Sequence, residues 1–192
     1  MPDYYFDIET YTKTPEPDLR NDMILTIQYQ RIDSRTGEEK GELTILKAWE
    51  SSEKEILQAF HSIFKPDKQD KWMFIPIGYN LSFEFFSLLY RWREIGIEVP
   101  PRNLFFEKPY IDLYSVGVMI NAGSFKGATL GKLIGKQHSG LKVSEWYEQK
   151  DYASIEKYIK EEADGFISLY QCLMDRFPGL WREYAEEKRI II

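Results

Sequence analysis

Three stretches near the N-terminus alternate apolar and polar residues, and the period changes further along the chain. "YYFDIE" (residues 4–9), "MILTIQYQRI" (23–32) and "ELTILKAW" (42–49) carry the period-two, β-rich pattern of strands. A polar, Pro-containing connection, "TKTPEPDLRND", joins the first two, and "DSRTGEEKG" is the turn between the second and third. An N-terminal antiparallel meander is therefore expected. "SSEKEILQAFHSIF" (51–64) switches to helical spacing, with Ser51 or Ser52 as cap and Ile56, Leu57, Phe60 and Phe64 on one stripe. "KWMFIPIGYN" (71–80) is almost continuously apolar, as a strand covered on both faces would be. "LSFEFFSLLYRWREIG" (81–96) is a second helix, stopped near Gly96 with Asn80 as its cap. A short strand around "YIDL" (110–113) follows, and a long helix is predicted from Tyr152 to Phe177. This order predicts an α/β domain with a mixed sheet, the whole chain forming a single domain.

Composition narrows the class. Apolar residues make up 43% and aromatics 16% of 192 residues, enough for a well-packed core. No charged segment leads into an apolar one as in a secretory leader, and no apolar run is long enough to cross a bilayer. The single cysteine, Cys172, rules out an internal disulfide, and no Cys/His cluster suggests zinc. A soluble, cytoplasmic protein is expected. The net charge of −6 argues against a protein that coats nucleic acid nonspecifically. That charge is uneven, however. Between Leu113 and Ser144 there is no Asp or Glu, while Lys126, Lys132, Lys136 and Lys142 fall there. Such a segment could hold an anionic ligand, or it could be a solvated surface that happens to lack acids.

Two carboxylates then need a reason. Along a strand Tyr5, Asp7 and Glu9 share one face, and Phe6 and Ile8 share the other. Two acids on one strand face can converge on divalent cations, although an edge strand with a wet face would also carry them. In "GYNLSFEFF" (78–86), Phe83 and Glu84 follow Asn80 by three and four residues, and Glu84 is embedded among Phe83, Phe85 and Phe86. An acid in a first helical turn suits the macrodipole, but that does not account for its apolar neighbours. In "IEKYIKEEADGFISLY" (155–170), Tyr158 and Glu162 neighbour each other on one helical face. Glu161, Glu162 and Asp164 compete for a role there. Ile155, Ile159, Glu162, Phe166, Leu169 and Leu173 form one stripe in which Glu162 is the only charge.

"FDIET", "GYNLSFEFF" and "YIKEEAD", in that order, resemble the three motifs of the DEDD 3′–5′ exonucleases in their tyrosine subclass. The likeness is to the ribonuclease H-like exonuclease domain of family-B DNA polymerases. It spans nearly the whole chain, including "IDLYSV" around Asp112 and "FKGATLGKLIG" before the last motif. The first motif matches at Asp7 and Glu9, the second at Asn80 and Phe83, the third at Tyr158. Glu84 and Glu162 stand where that family usually has Asp, which keeps the charge and moves each carboxylate outward by a methylene.

The resemblance implies a stand-alone exonuclease that hydrolyses single-stranded DNA or RNA from the 3′ end with two Mg²⁺ or Mn²⁺ ions. Asp7, Glu9, Glu84 and Glu162 would hold the metals, with Asp7 bridging. Tyr158 would orient the attacking water. Thr10, Asn80 and Phe83 would position the terminal nucleotide, and Lys126 and Lys132 would meet phosphates. His61 is expected at the surface or its boundary, and His138 in a solvated loop. Two other readings remain open: an inactive nucleic-acid-binding module on the same fold, and a phosphatase with an Asp nucleophile. Against the phosphatase, Glu9 and Tyr11 replace the second Asp and the Thr of the D-x-D-x-T motif. Protein partners and oligomeric state are not legible.

Overall fold

The computed structural model describes residues 3–14, 17–64, 71–98, 107–136 and 140–190. Five strands form one mixed sheet, β1 (Asp3–Tyr11), β2 (Met23–Ile32), β3 (Thr44–Lys47), β4 (Ile75–Gly78) and β5 (Ile111–Asp112), in the order β3-β2-β1-β4-β5. β1–β2 and β2–β3 are antiparallel, the expected meander, whereas β4 joins β1 and β5 joins β4 in parallel. Among the described residues six helices surround the sheet: α1 (Glu53–Phe64), α2 (Leu81–Glu94), α3 (Tyr114–Ile120), α4 (Leu130–Leu133), α5 (Leu141–Glu148) and α6 (Tyr152–Lys188).

The central strand, β1, is covered on both sides. Phe6 and Ile8 enter a core built with Phe60 and Phe64 of α1 and Leu81, Phe85 and Trp92 of α2. Phe6, Phe60, Phe64 and Phe74 pack in mutual contact as stacked, tilted and edge-on rings. Each such fully buried side chain contributes roughly 1.5–3 kcal/mol by leaving water. Tyr5 points the other way, into a second cluster with Phe166, Ile167 and Tyr170 of α6. The face that carries Asp7 and Glu9 therefore lies under a helix, and the wet-edge reading of those acids does not hold.

Four local details differ from the sequence expectation. β4 is shorter than its apolar run: it begins at Ile75, opposite Asp3 of β1, and Trp72 and Met73 upstream are exposed. Asn80 does not cap α2 through its side chain. It adopts a left-handed conformation (φ 62°), and the carboxylate of Asp112 accepts from the backbone N–H groups of Asn80 (2.8 Å), Leu81 (3.0 Å) and Tyr114 (2.9 Å). The parallel pairing of β4 and β5 sets Gly78 opposite Asp112, which places that acid at the positive end of α2. α6 runs on past Phe177 through Pro178, since a proline removes one helical hydrogen bond and the exposed tip can absorb the kink. Of the two candidate caps on α1, Ser52 serves, accepting from the N–H of Glu55.

His61 sits half-buried, edge-on to Trp92, and His138 lies outside the described residues. Among the described residues no helix is long and apolar enough to cross a membrane.

Candidate active site

At the centre of the molecule β1 brings Asp7 and Glu9 to the same cavity as Glu162 of α6. Ligand oxygens of these three acids lie within 4.8 Å of one another. Glu84, in the first turn of α2, lines the same cavity of about 320 Å³, as do Asn80 and Tyr158. Glu161 and Asp164 point outward and are exposed, so the apolar stripe of α6 carries its one acid inward. Thr10, Phe83, Lys126 and Lys132 are not in the cavity wall. Thr10 follows a register shift after Glu9, where Leu25 of β2 is the extra residue, and Phe83 packs half-buried against the aromatic core. Lys126 and Lys132 are exposed, and the Lys132 ammonium donates to Asn121 Oδ1 (3.0 Å).

A buried relay on β2 orients Asp7. The Thr26 hydroxyl donates to Gln28 Oε1 (2.9 Å), and Gln28 Nε2 donates to Asp7 Oδ2 (2.9 Å). Burial lifts the Asp7 carboxyl to about 7, the Glu162 charge adds to the rise, and the Gln28 bond opposes it. Burial first, then Glu162 and Asp7, hold Glu9 well above the carboxylate range. Glu84 is raised by burial and then by Asp7. Tyr158 is pushed far above the usual phenol range by burial, then by Glu9 and Glu162. The backbone of Gly140, before α5, abuts the site, because a Cβ there would stand 3.6 Å from the Tyr158 hydroxyl and 3.9 Å from Glu9 Oε2.

Three participants were not singled out from the sequence. One is Gln28, whose partner only the β1–β2 register reveals. Another is Lys136, whose ammonium pairs with Glu162 Oε2 and lies 3.1 Å above the centre of the Tyr158 ring. Its charge opposes the upward shifts of Asp7 and Glu9. The basic segment did contain Lys136, but nothing in the spacing set it apart from its neighbours. The third is Tyr5, whose buried hydroxyl lines the same cavity without a hydrogen-bond partner.

The donor set suits a hard divalent cation. Every candidate ligand is a carboxylate oxygen, no His or Cys stands in the described wall, and four acids face one ammonium. Glu84 Oε2 is buried without a partner, a group that a metal ion or its water would satisfy.

No family model and no curated protein sequence matches the chain. Solved structures do. The family B DNA polymerase of the hyperthermophilic archaeon Pyrobaculum calidifontis superposes with a TM-score of 0.66 at 17% identity, covering 90% of this chain and 24% of the polymerase. E. coli exonuclease I superposes in a zinc-bound complex with single-stranded DNA (TM-score 0.61, 14% identity, 94% and 42% covered). It does so again in complex with a dT13 oligonucleotide (TM-score 0.58, 14% identity, 94% and 42% covered). The fold is that of the ribonuclease H-like exonucleases. The chain spans less than half the length of each of these structures.

Proposed function

We propose that the chain is a metal-dependent 3′–5′ exonuclease acting on single-stranded DNA or RNA. The observation that carries this reading is the convergence of Asp7, Glu9 and Glu162 within 4.8 Å, in one cavity with Glu84 and Tyr158. The complexes of E. coli exonuclease I with single-stranded DNA support the substrate class.

Asp7, Glu9, Glu84 and Glu162 would hold two divalent cations, Mg²⁺ or Mn²⁺, which when bound supply Lewis acidity toward a scissile phosphate and lower the pKa of water. Gln28 fixes the orientation of Asp7 through its 2.9 Å bond. The Tyr158 phenol, with its pKa raised, stays protonated at neutral pH, so it orients a water molecule by hydrogen bonding and does not take its proton. Asn80 is held left-handed with its N–H on Asp112 and lines the cavity where a terminal nucleotide would sit. Lys136 neutralises Glu162 while no divalent cation is present. Glu84 and Glu162, each a methylene longer than Asp, reach the cavity from α2 and α6.

The test is digestion of matched DNA and RNA oligonucleotides, labelled at either end, with Mg²⁺, Mn²⁺ or EDTA. Metal-dependent shortening from the 3′ end is expected. Asp7→Asn should reduce turnover by about two orders of magnitude or more. The metal-free variant should melt no lower than wild type, because one member of a crowded acid cluster loses its charge. Binding of strands without cleavage under every metal condition would leave an inactive binding module; wild-type turnover in Asp7→Asn would remove Asp7 from the site.

A further inference from the structure

Beside the acid cavity the wall continues outward as a row of aromatic rings. Tyr79 lines the cavity. Its ring meets Tyr114 of α3 edge-on at 5.7 Å, and Tyr114 meets Phe125 at 6.3 Å. The inner member is clamped. The Tyr79 hydroxyl donates to Ala128 O (2.7 Å), and it lies so close to Gly117 of α3 that no Cβ fits there. The outer member is 70% exposed, at the tip of the loop between α3 and α4.

That loop is braced from within. Asn121 Nδ2 donates to Ser124 O (2.6 Å) and Lys126 O (3.2 Å), and Lys132 donates back to Asn121. The stretch from Leu113 to Ser144 that contains it has four lysines and no acid. An exposed phenyl ring on a braced, cationic loop, aligned with rings that lead into an acidic cavity, suits a ligand with flat faces and a negative backbone.

Resting on the exonuclease reading, we propose that Phe125, backed by Tyr114 and Tyr79, is a stacking platform for a base of the single strand a few nucleotides upstream of the scissile bond. It holds the strand by a base face and so tolerates any sequence. Stacking on one aromatic residue changes affinity by about 10-fold.

The test is binding of 5′-labelled oligothymidylates of about two to eight nucleotides, by fluorescence anisotropy with EDTA present so that no strand is cut. Wild-type affinity should rise with length. Phe125→Ala and Phe125→Leu should lose about 10-fold of that gain while binding the shortest strands as wild type does; Phe125→Tyr should keep it. Equal length dependence in Phe125→Ala and wild type overturns the platform, as does full retention in Phe125→Leu, which keeps bulk without a π face. A wild-type protein that binds no strand of any length, and cuts none with metal, overturns the exonuclease reading instead.

Discussion

Lys136 places one positive charge inside the cluster of acids. Its ammonium is largely buried, pairs with Glu162 and sits on the Tyr158 ring, among acids whose carboxyls burial has already raised. Removing it leaves Glu162 without its partner in a metal-free protein, which is costly in a partly buried place. It also removes a positive charge that repels an incoming cation. Lys136→Met should therefore lower the melting temperature of the metal-free protein by several degrees, roughly 2–4 °C per kcal/mol lost, and tighten Mn²⁺ binding measured by calorimetry. Unchanged Mn²⁺ affinity would mean that Lys136 does not share the metal's position.

A second lysine acts far from the site. Lys108 is buried, donates to Phe64 O (2.9 Å) and Lys71 O (3.2 Å), and lies over the Phe64 ring. Burial takes its pKa down to about 7, against an unfolded value near 10.5. Below pH 7 both states carry the proton and the burial cost is fully present. From pH 7 toward 10 the unfolded chain keeps a proton that the folded chain has released, so stability rises with pH, by at most about 1.4 kcal/mol per unit. Urea unfolding at a series of pH values should show this rise in wild type, diminished in Lys108→Met. Parallel curves for the two would remove Lys108 as its source.

At the scale of elements, α6 decides which acid enters the cavity. A helix advances about 100° per residue, so Glu161 and Glu162 cannot both face β1. Glu162 lies in the cavity, and Glu161 and Asp164 face solvent. Glu162→Gln should remove most activity and weaken Mn²⁺ binding, while Glu161→Gln and Asp164→Asn keep most of both. Glu162→Asp should stay active, the carboxylate being retained. A dead Asp164→Asn beside a healthy Glu162→Gln would mean that α6 presents a different face to substrate. The Asp112 cap belongs to the same scale: one carboxylate on β5 satisfies backbone donors at the starts of α2 and α3, and so fixes the turn that carries Asn80 and Glu84.

Over the whole molecule, charge is separated in a way that bears on an anionic substrate. The net charge is −6, yet residues 113–144 hold four lysines and no acid. Three of those lysines have partners within the chain, Lys136 on Glu162, Lys132 on Asn121 and Lys142 on Glu145, whereas Lys126 is exposed on the aromatic-tipped loop. Lys126→Ala should weaken oligonucleotide binding and flatten its dependence on log salt by roughly 0.7, the release expected for one single-strand phosphate contact. Titrations at several salt concentrations read this slope directly; an unchanged slope returns the segment to ordinary solvated surface.

The sequence by itself determined the elements and the chemistry they could carry. Period two gave the meander, helical spacing gave the buried stripes of α1 and α6, and an acid alone in an apolar stripe marked Glu162, because a buried charge needs compensation. The order of three short motifs was enough to suggest the fold. What the tertiary structure decided were relations between residues distant in the chain. Strand register put Gln28 on Asp7, parallel pairing put Asp112 at the start of α2, and the packing of the α4 end against α6 put Lys136 on Glu162 and Tyr158. Local propensity cannot encode such pairings, because each depends on two segments finding each other. α6 marks the same boundary, for a proline ends a helix only where the surroundings cannot absorb it.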